Sequence, residues 1–333
     1  MTADHYVSAM SAAAMAALAT VLLLRWRARL PQAAPNPRSL HTAAIPRVGG
    51  LAIWFGWLPL AAMAPASTGM DIAVWGIPWA LLVAVSLFDD WRAVAVVPRL
   101  TVHAVAAFGF AWMLFARDAG ATPVPLATVL AAAVVIAWSL NLYNFMDGSD
   151  GLAAAMALVG FTAYAVAATH AGWQALILWE LAAATLPVFV ANRPPARIFL
   201  GDVGAVPLGF LAAAFGVAGV HAAVWPAWFP VLVFLPFIAD STVTLIRRVM
   251  RGERFWEAHK THYYQRMLLL GAGHRGTLAA HGALMLGTAG TAVACVWVAP
   301  TWGAAALGAW CVIHALVFAT IDYHWRKNSI AAQ

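Results

Sequence analysis

The stretch NLYNFMDGSDGLAA, residues 141–154, holds four polar side chains at a strict spacing of three: Asn141, Asn144, Asp147 and Asp150. Apolar segments flank it on both sides. In a helix, Asp147 and Asp150 are neighbours, whereas Asn141 and Asp150 differ in direction by about 180°. All four can converge only if the backbone breaks, and Gly148 and Gly151 are the expected break. The pattern favours a ligand-binding loop over a plain linker.

Three further carboxylates stand where apolar segments begin or end. Asp89 and Asp90 close one segment in LFDDW, and Asp202 lies between two glycines in IFLGDVG. Adjacent like charges repel unless a cation or solvent screens them. Mg²⁺ takes one or two carboxylates and completes its shell with waters and substrate phosphate oxygens. The pattern therefore predicts Mg²⁺, with Mn²⁺ as a substitute, acting on a phosphate substrate.

The most basic segment is RRVMRGERFWEAHKTHYYQRM, residues 247–267, in which His259 and His262 lie three apart. This pair alone is weak evidence for zinc, because Zn²⁺ needs further ligands. The mixture of basic and aromatic residues suits phosphate and sugar binding at a membrane surface. Asp240, which precedes this segment, is either a site residue or an interior acid with a helical partner.

The elements that carry these residues are predicted to be membrane helices. The chain is 63% hydrophobic and 10% charged, whereas soluble proteins are roughly 25% charged. The apolar stretches lack the alternation of a β-barrel, so the fold class is all-α, a polytopic membrane protein that forms a single domain over 1–333. Its eleven predicted spans are 6–24, 48–64, 72–88, 100–116, 122–141, 152–169, 172–191, 204–221, 226–246, 276–298 and 302–321.

The basic residues predict the orientation of these spans. All but Arg117 of the 19 Lys and Arg residues fall on one side of the membrane, which the positive-inside rule makes cytoplasmic. The N-terminus is then outside, the C-terminus is cytoplasmic, and the first span is uncleaved. The same loops and lipid headgroups account for the pI of 9.8, so no nucleic acid partner is implied. The loops predicted to form the active site are 25–47, 89–99, 142–151, 192–203 and 247–275.

Five motifs, in order, resemble the polyprenyl-phosphate N-acetylhexosamine-1-phosphate transferases of glycosyltransferase family 4. They are HTAAIPRVGGLAI, LFDDW, NLYNFMDGSDGLAA, ANRPPARIFLGDVGAVPLGF and FWEAHKTHYYQRM. Together they span residues from about 38 to about 267, and the last one resembles the branch with an H-x-x-H pair. One departure is Ala205, where the family usually has Ser or Thr.

The resemblance implies that undecaprenyl phosphate attacks the β-phosphorus of a UDP-N-acetylhexosamine, releasing UMP and leaving a lipid diphosphosugar. It implies surface glycan synthesis of the O-antigen kind, at the bacterial inner membrane, with the active site facing the cytoplasm. The other expected partners are membrane lipids, and a homodimer is one compatible assembly. The hexosamine and the polymer supplied stay open.

The family's roles transfer motif by motif. The implied catalytic residues are Asp89, Asp90, Asp147 and Asp150, and the implied metal ligands are Asp202 and Asp89. The implied substrate-binding residues are Asn144, Asn192, Phe199, His259, His262, Arg47 and Arg99. A general base is not required, because a phosphate monoester with a second pKa of about 6 is largely dianionic at about pH 7. The Asp pair is therefore expected to act through the metal and through orientation.

Two other classes of protein compete with this interpretation. A secondary transporter would also have intramembrane acids and broken helices, but its site would lie near the midplane and its sequence would repeat. An intramembrane prenyltransferase would bind Mg²⁺-diphosphate through D-x-x-x-D motifs, which are absent. Release of UMP from a UDP-sugar distinguishes the transferase from both.

Overall fold

The computed structural model describes residues 3–33, 45–64, 71–116, 124–173, 175–254 and 259–331. Apart from one strand pair and short 3₁₀ or π turns, its regular elements are α-helices. They are α1 Ala3–Arg25, α2 Gly50–Met63, α3 Ile72–Trp91, α4 Val96–Ala116, α5 Leu126–Met146, α6 Leu152–Ala171, α7 Ala175–Asn192, α8 Asp202–His221, α9 Trp228–Val233, α10 Leu235–Met250, α11 Tyr263–Met267, α12 Gly273–Val298 and α13 Gly303–Ala331. The strands β1 Gln32–Ala33 and β2 Ile45–Pro46 pair antiparallel.

This architecture confirms an all-α, multi-pass membrane protein. Nine of the described helices are long and apolar enough to cross a bilayer. The other two predicted spans correspond to shorter elements. The 14 residues of α2 rise by about 21 Å, which is less than the ~30 Å of a hydrocarbon core. The stretch 226–246 is divided at Phe234 into α9 and α10. The count of eleven spans and their orientation remain predictions.

The centre of the bundle is formed by α6 and α8, whose side chains are the most buried, while α1, α12 and α13 expose most of theirs. Small residues allow α8 to approach its neighbours closely, as in other membrane helix pairs. A Cβ on Gly209 would lie 2.8 Å from the Cα of Leu140 in α5. A Cβ on Gly50, at the start of α2, would lie 2.3 Å from the Cα of Gly204 in α8. The first turns of α2 and α8 therefore meet backbone to backbone.

This contact yields a stability prediction. Gly50→Ala should destabilise the protein by about 1–3 kcal/mol, because the added methyl group overlaps backbone atoms that cannot rotate away. Thermal unfolding in detergent measures the change. The matched control is Gly308→Ala in α13, where an added Cβ meets nothing within 4 Å and helix propensity favours Ala by about 1 kcal/mol. Equal melting temperatures for the two variants would contradict the packing.

Candidate active site

Asp90 joins three separate elements at one end of the bundle. It lies at the end of α3 and accepts hydrogen bonds from the backbone N–H groups of Asp202 (3.2 Å) and Val203 (2.9 Å) in the first turn of α8. It also accepts a 2.8 Å hydrogen bond from Nε of Arg47. A carboxylate stabilises a helix N-terminus by satisfying its unpaired donors and its partial positive charge. Asp90 therefore fixes the position of Asp202.

Arg47 reaches Asp90 because its own segment pairs with the chain just before α8. The N–H of Phe199 donates to Pro46 O at 2.7 Å, and the N–H of Gly49 donates to Phe199 O at 2.8 Å. Gly201 permits this approach, since it has φ +75° and a Cβ there would lie 2.0 Å from the carbonyl oxygen of Arg47. Burial disfavours the charge of Arg47, but the neighbouring carboxylates outweigh burial and raise its pKa.

Arg99 lies between the other two carboxylates. Its guanidinium Nη1 is 2.6 Å from Oδ2 of Asp89 and 3.5 Å from Oδ2 of Asp202. Asp89 also accepts a 2.6 Å hydrogen bond from the backbone N–H of Val94. Arg47 and Arg99 thus form direct ion pairs with the carboxylates of this site, and their predicted contact with a substrate stays a prediction. Two cations face three carboxylates in this part of the site.

A fourth carboxylate, Asp147, caps the end of α5. Burial and the negative charges of Asp202 and Asp90 raise the pKa of Asp147 well above its ordinary value. A carboxylate whose charge is opposed by other carboxylates is stabilised by a nearby cation. Asp89, Asp90, Asp147 and Asp202 thus form one acidic cluster, supplied by α3, α5 and α8.

This set of carboxylates fits a Mg²⁺ site whose coordination shell is completed by the substrate. Within the described residues, no three His, Cys, Asp or Glu side chains already form a metal-ligand group. Mg²⁺ does not require a full protein cage, because one or two carboxylates with waters and phosphates are sufficient. Asp202 and Asp147 are the better candidates to hold it, since Asp90 is engaged by Arg47 and two N–H groups, and Asp89 by Arg99 and Val94.

The four polar residues of the stretch 141–150 do not converge, which corrects the sequence prediction. The α-helix α5 continues to Met146, and Asn141 on it faces α4, with its Oδ1 at 3.1 Å from Nδ1 of His103. The backbone breaks at Gly151, which has φ +75°. Only Asp147 joins the acidic cluster. Asn144 is partly exposed, and its side-chain amide makes no hydrogen bond with any described residue.

Asp150 has contacts of another kind. It is 4% exposed, its Oδ2 accepts a 3.0 Å hydrogen bond from the N–H of Ala196, and its Oδ1 lies 3.7 Å from Nδ1 of His274. The same His274 nitrogen is 3.2 Å from Oγ of Ser149. These contacts tie the loop after α5 to the loop before α8. The geometry gives Asp150 a positioning role for these two loops, and its predicted catalytic role stays a prediction.

Asn192 has a similar structural function. Its Oδ1 accepts from the N–H of Gly151 at 3.0 Å, and its Nδ2 donates to Ile198 O at 2.8 Å. It is 2% exposed and both atoms of its side-chain amide are bonded within the protein, while its predicted contact with a nucleotide stays a prediction. Phe199 is partly exposed, and its predicted substrate contact stays a prediction.

The last loop is held by Asp240, a fully buried carboxylate in α10. Asp240 accepts hydrogen bonds from the N–H groups of Tyr263 and Tyr264, both at 2.9 Å, and its Oδ1 lies 3.3 Å from Nδ1 of His262. These donors form the first turn of α11. Of the two alternatives left open by the sequence, the interior acid with a helical partner is the one observed: Thr244 of the same helix donates to Asp240 at 3.2 Å, and the other partners lie at the start of α11.

The two histidines of this loop lie beside the end of α5, the helix that is capped by Asp147 of the acidic cluster. His259 stacks on His262 with ring centroids 4.9 Å apart, and His262 stacks on Phe145 at 6.1 Å. Burial, together with the neighbouring His262 and Arg248, lowers the pKa of His259 to about 4. His259 is therefore a neutral ring at about pH 7.

Two parts of the predicted motifs, residues 41–44 and 255–258, lie outside the described residues.

Tyr264 connects this loop to the end of α5. Its hydroxyl donates to Phe145 O at 3.0 Å and occupies the space where a Cβ on Gly148 would lie, 2.1 Å away. Gly148 lies within the break between α5 and α6, where it also provides the clearance that a neighbouring side chain requires. Sequence reasoning missed Tyr264 and His274, and the unexplained glycine was the one signal that could have pointed to Tyr264.

Comparisons with known proteins match this part of the chain. The model of glycosyl transferase family 4 matches residues 72–220, which include all four acids of the cluster. A probable undecaprenyl-phosphate N-acetylglucosaminyl 1-phosphate transferase of Bacillus subtilis is 25% identical over 72% of this chain and 70% of its own length. A decaprenyl-phosphate N-acetylglucosaminephosphotransferase of Mycolicibacterium smegmatis is 29% identical over 72% and 69%. An undecaprenyl-phosphate alpha-N-acetylglucosaminyl 1-phosphate transferase of Yersinia pestis is 28% identical over 77% and 76%.

The packing of Tyr264 against Gly148 predicts a coupled pair of substitutions. Gly148→Ala should destabilise the protein by about 1–3 kcal/mol, since the methyl group collides with the Tyr264 hydroxyl. Tyr264→Phe should cost about 1 kcal/mol through its lost hydrogen bond. The double variant should be less destabilised than the sum of the two, because removing the hydroxyl makes room for the methyl group. Thermal unfolding of all four proteins checks this, and strictly additive losses would refute the contact.

Proposed function

We propose that this membrane protein transfers N-acetylhexosamine 1-phosphate from a UDP-sugar to a polyprenyl phosphate. The proposal follows from the family that the motifs predicted and that these matches confirm. UMP and a lipid diphosphosugar are the products. Three relatives that are 25%, 29% and 28% identical to this chain over the aligned residues are named as N-acetylglucosamine 1-phosphate transferases, so UDP-N-acetylglucosamine is the first donor to test. Undecaprenyl phosphate is the proposed acceptor, as the names of the Bacillus and Yersinia proteins suggest.

The observation that carries this proposal is the location of the acidic cluster. Asp89, Asp90, Asp147 and Asp202 meet at one end of a bundle of apolar helices, beside Arg47 and Arg99. A polyprenyl phosphate is confined to the bilayer and a UDP-sugar to water, so their phosphates can meet only at the headgroup plane. A transporter site would be expected near the midplane instead.

The residues can be assigned parts in the transfer. The lipid phosphate attacks the β-phosphorus of the donor, and the bond to the UMP oxygen breaks. Arg47 and Arg99 supply positive charge for the phosphate oxygens, and Asn144 is open to donate a hydrogen bond to either substrate. Asp202 and Asp147 would hold Mg²⁺, which supplies further neutralisation of the diphosphate. The last loop would place His259 and His262 against the sugar or its phosphate.

Asp89 and Asp90 are proposed to orient this site and not to remove a proton. Both are held by an arginine and by backbone N–H groups, which leaves little freedom for proton transfer. The acceptor phosphate, with a second pKa of about 6, has little proton to lose at about pH 7. We also propose that this end faces the cytoplasm at the inner membrane and that the product supplies surface glycan synthesis of the O-antigen kind. A homodimer is the proposed assembly.

The direct test measures UMP release in vesicles that contain the purified protein, undecaprenyl phosphate, UDP-N-acetylglucosamine and Mg²⁺. Asp202→Asn should reduce turnover about a hundredfold or more, because it removes preorganised charge from the reacting phosphates. Asp71→Asn is the matched control, since it makes the same change at the N-cap of α3, where Asn also caps well. Chelation of divalent cations should abolish release. If no UDP-N-acetylhexosamine yields UMP, the transferase assignment is wrong.

The role of Asp89 gives a separate prediction. Asp89→Asn should lower turnover by weakening the ion pair with Arg99, and the loss should be the same at every pH above about 7, where the acceptor phosphate is already dianionic. Turnover measured from about pH 6 to about pH 9 tests this. Recovery of the variant toward wild-type turnover at high pH would instead assign Asp89 as a general base.

A further inference from the structure

A groove of about 930 Å³ lies between α10 and α13, apart from the acidic cluster. Its walls are largely apolar and include Leu235, Ile238, Val243, Ala315 and Phe318. At one end it is lined by charged residues at the ends of α10 and α13, namely Arg247, Asp322, Arg326 and Lys327. The groove therefore combines an apolar channel along two membrane helices with a polar end.

A second pocket of about 610 Å³ adjoins the polar end. The two cavities share Arg247, Asp322 and Arg326 as lining residues, so they lie side by side. The second pocket adds Arg251 and Arg266 to the charged residues, together with Met250 and Trp325. The combined shape is that of an amphiphile, with a long apolar part and a compact polar head.

The charges of this space favour an anionic head. Among the residues that the structure describes, Asp322 is the one acid that lines it, and it is paired with Arg247 at 2.5 Å and Arg266 at 2.6 Å. Arg326 and Lys327 form no hydrogen bond or ion pair with any residue that the structure describes. The positive-inside rule explains why basic residues occur at this end. It does not explain why unpaired ones line an apolar groove.

We propose that this space binds an anionic phospholipid, with one acyl chain between α10 and α13 and the phosphodiester head between Arg326, Lys327 and Arg247. Basic pockets between membrane helices are suited to such heads. A zwitterionic lipid would fill the apolar groove equally well but would gain much less from the cations. Phosphatidylglycerol is the simplest probe, because it has a single net negative charge.

The groove is also connected to the last loop. Phe318, which lines the groove, stacks on Tyr263 of α11 with ring centroids 3.9 Å apart. Tyr263 follows His262 and donates its backbone N–H to Asp240. A lipid that orders α13 and Arg247 therefore stabilises the segment that holds His259 and His262. The resulting expectation, that phosphatidylglycerol raises turnover, rests on the proposed function, whereas the binding itself does not.

Binding is tested by native mass spectrometry of the full chain, released from mixed phosphatidylglycerol and phosphatidylcholine. The wild type should retain phosphatidylglycerol preferentially. Arg326→Gln with Lys327→Gln should reduce its apparent affinity about tenfold. The matched control is Arg27→Gln with Arg29→Gln, which removes two exposed cations away from the groove and should leave retention unchanged. Equal retention of both lipids, or equal losses in the two double variants, would overturn the proposal.

The site within the groove is tested by filling it. Ala319→Trp, which adds an indole to the groove lining, should reduce retention, while Ala309→Trp on an exposed position of the same helix outside the lining should not. Undecaprenyl phosphate is then added as a competitor. If it displaces phosphatidylglycerol one for one, the groove is a route for the acceptor and the regulatory proposal is wrong.

The regulatory part is tested by UMP release in vesicles of phosphatidylcholine with and without phosphatidylglycerol. The wild type should be stimulated severalfold, and the Arg326, Lys327 double variant should keep the unstimulated turnover and lose the stimulation. If neither protein releases UMP while lipid retention follows the expected pattern, the proposed reaction fails and the lipid site stands. Stimulation of both proteins to the same extent would overturn the coupling.

Discussion

The arrangement of this protein depends on the compensation of negative charge at the end of an apolar bundle. Four carboxylates from three helices lie close together, and carboxylates at membrane depth are costly unless they are paired or solvated. Arg47 and Arg99 supply part of the opposite charge, and the first turn of α8 supplies N–H groups and the positive end of a helix dipole. Because Asp202 begins α8, its position follows from Asp90 and Arg47.

The same interaction, in which a carboxylate of one helix accepts hydrogen bonds from the first N–H groups of another, recurs in the last loop. Asp240 in α10 satisfies the N–H groups of Tyr263 and Tyr264 at the start of α11, in addition to the hydrogen bond that the N–H of His262 donates to Gln265 within the segment itself. A buried carboxylate on a rigid helix thus organises a short and otherwise weak element. In both places, an acid in one helix determines where the beginning of another helix lies.

Sequence reasoning could predict what depends on local pattern. The length and composition of the apolar stretches predicted the helices, and the residue types of the motifs predicted that Asp89, Asp90, Asp147 and Asp202 share one end. It could not predict contacts between distant segments. Asn192 resembled a substrate contact, but its partners are Gly151 and Ile198. The spacing in 141–150 suggested convergence, whereas α5 continues regularly and turns Asn141 toward His103.

The dependence of α11 on other helices has a consequence for biogenesis. All four carboxylates of the cluster belong to elements that precede α9, so they can assemble once α8 has entered the bilayer. The last loop then needs Asp240 from α10, and its Arg266 needs Asp322 from α13, near the C-terminal end of the chain. A nascent chain would therefore complete its acidic cluster early and order the loop that precedes α11 last. A protein truncated before α13 would retain the charged centre without the anchor that orders the residues beside it.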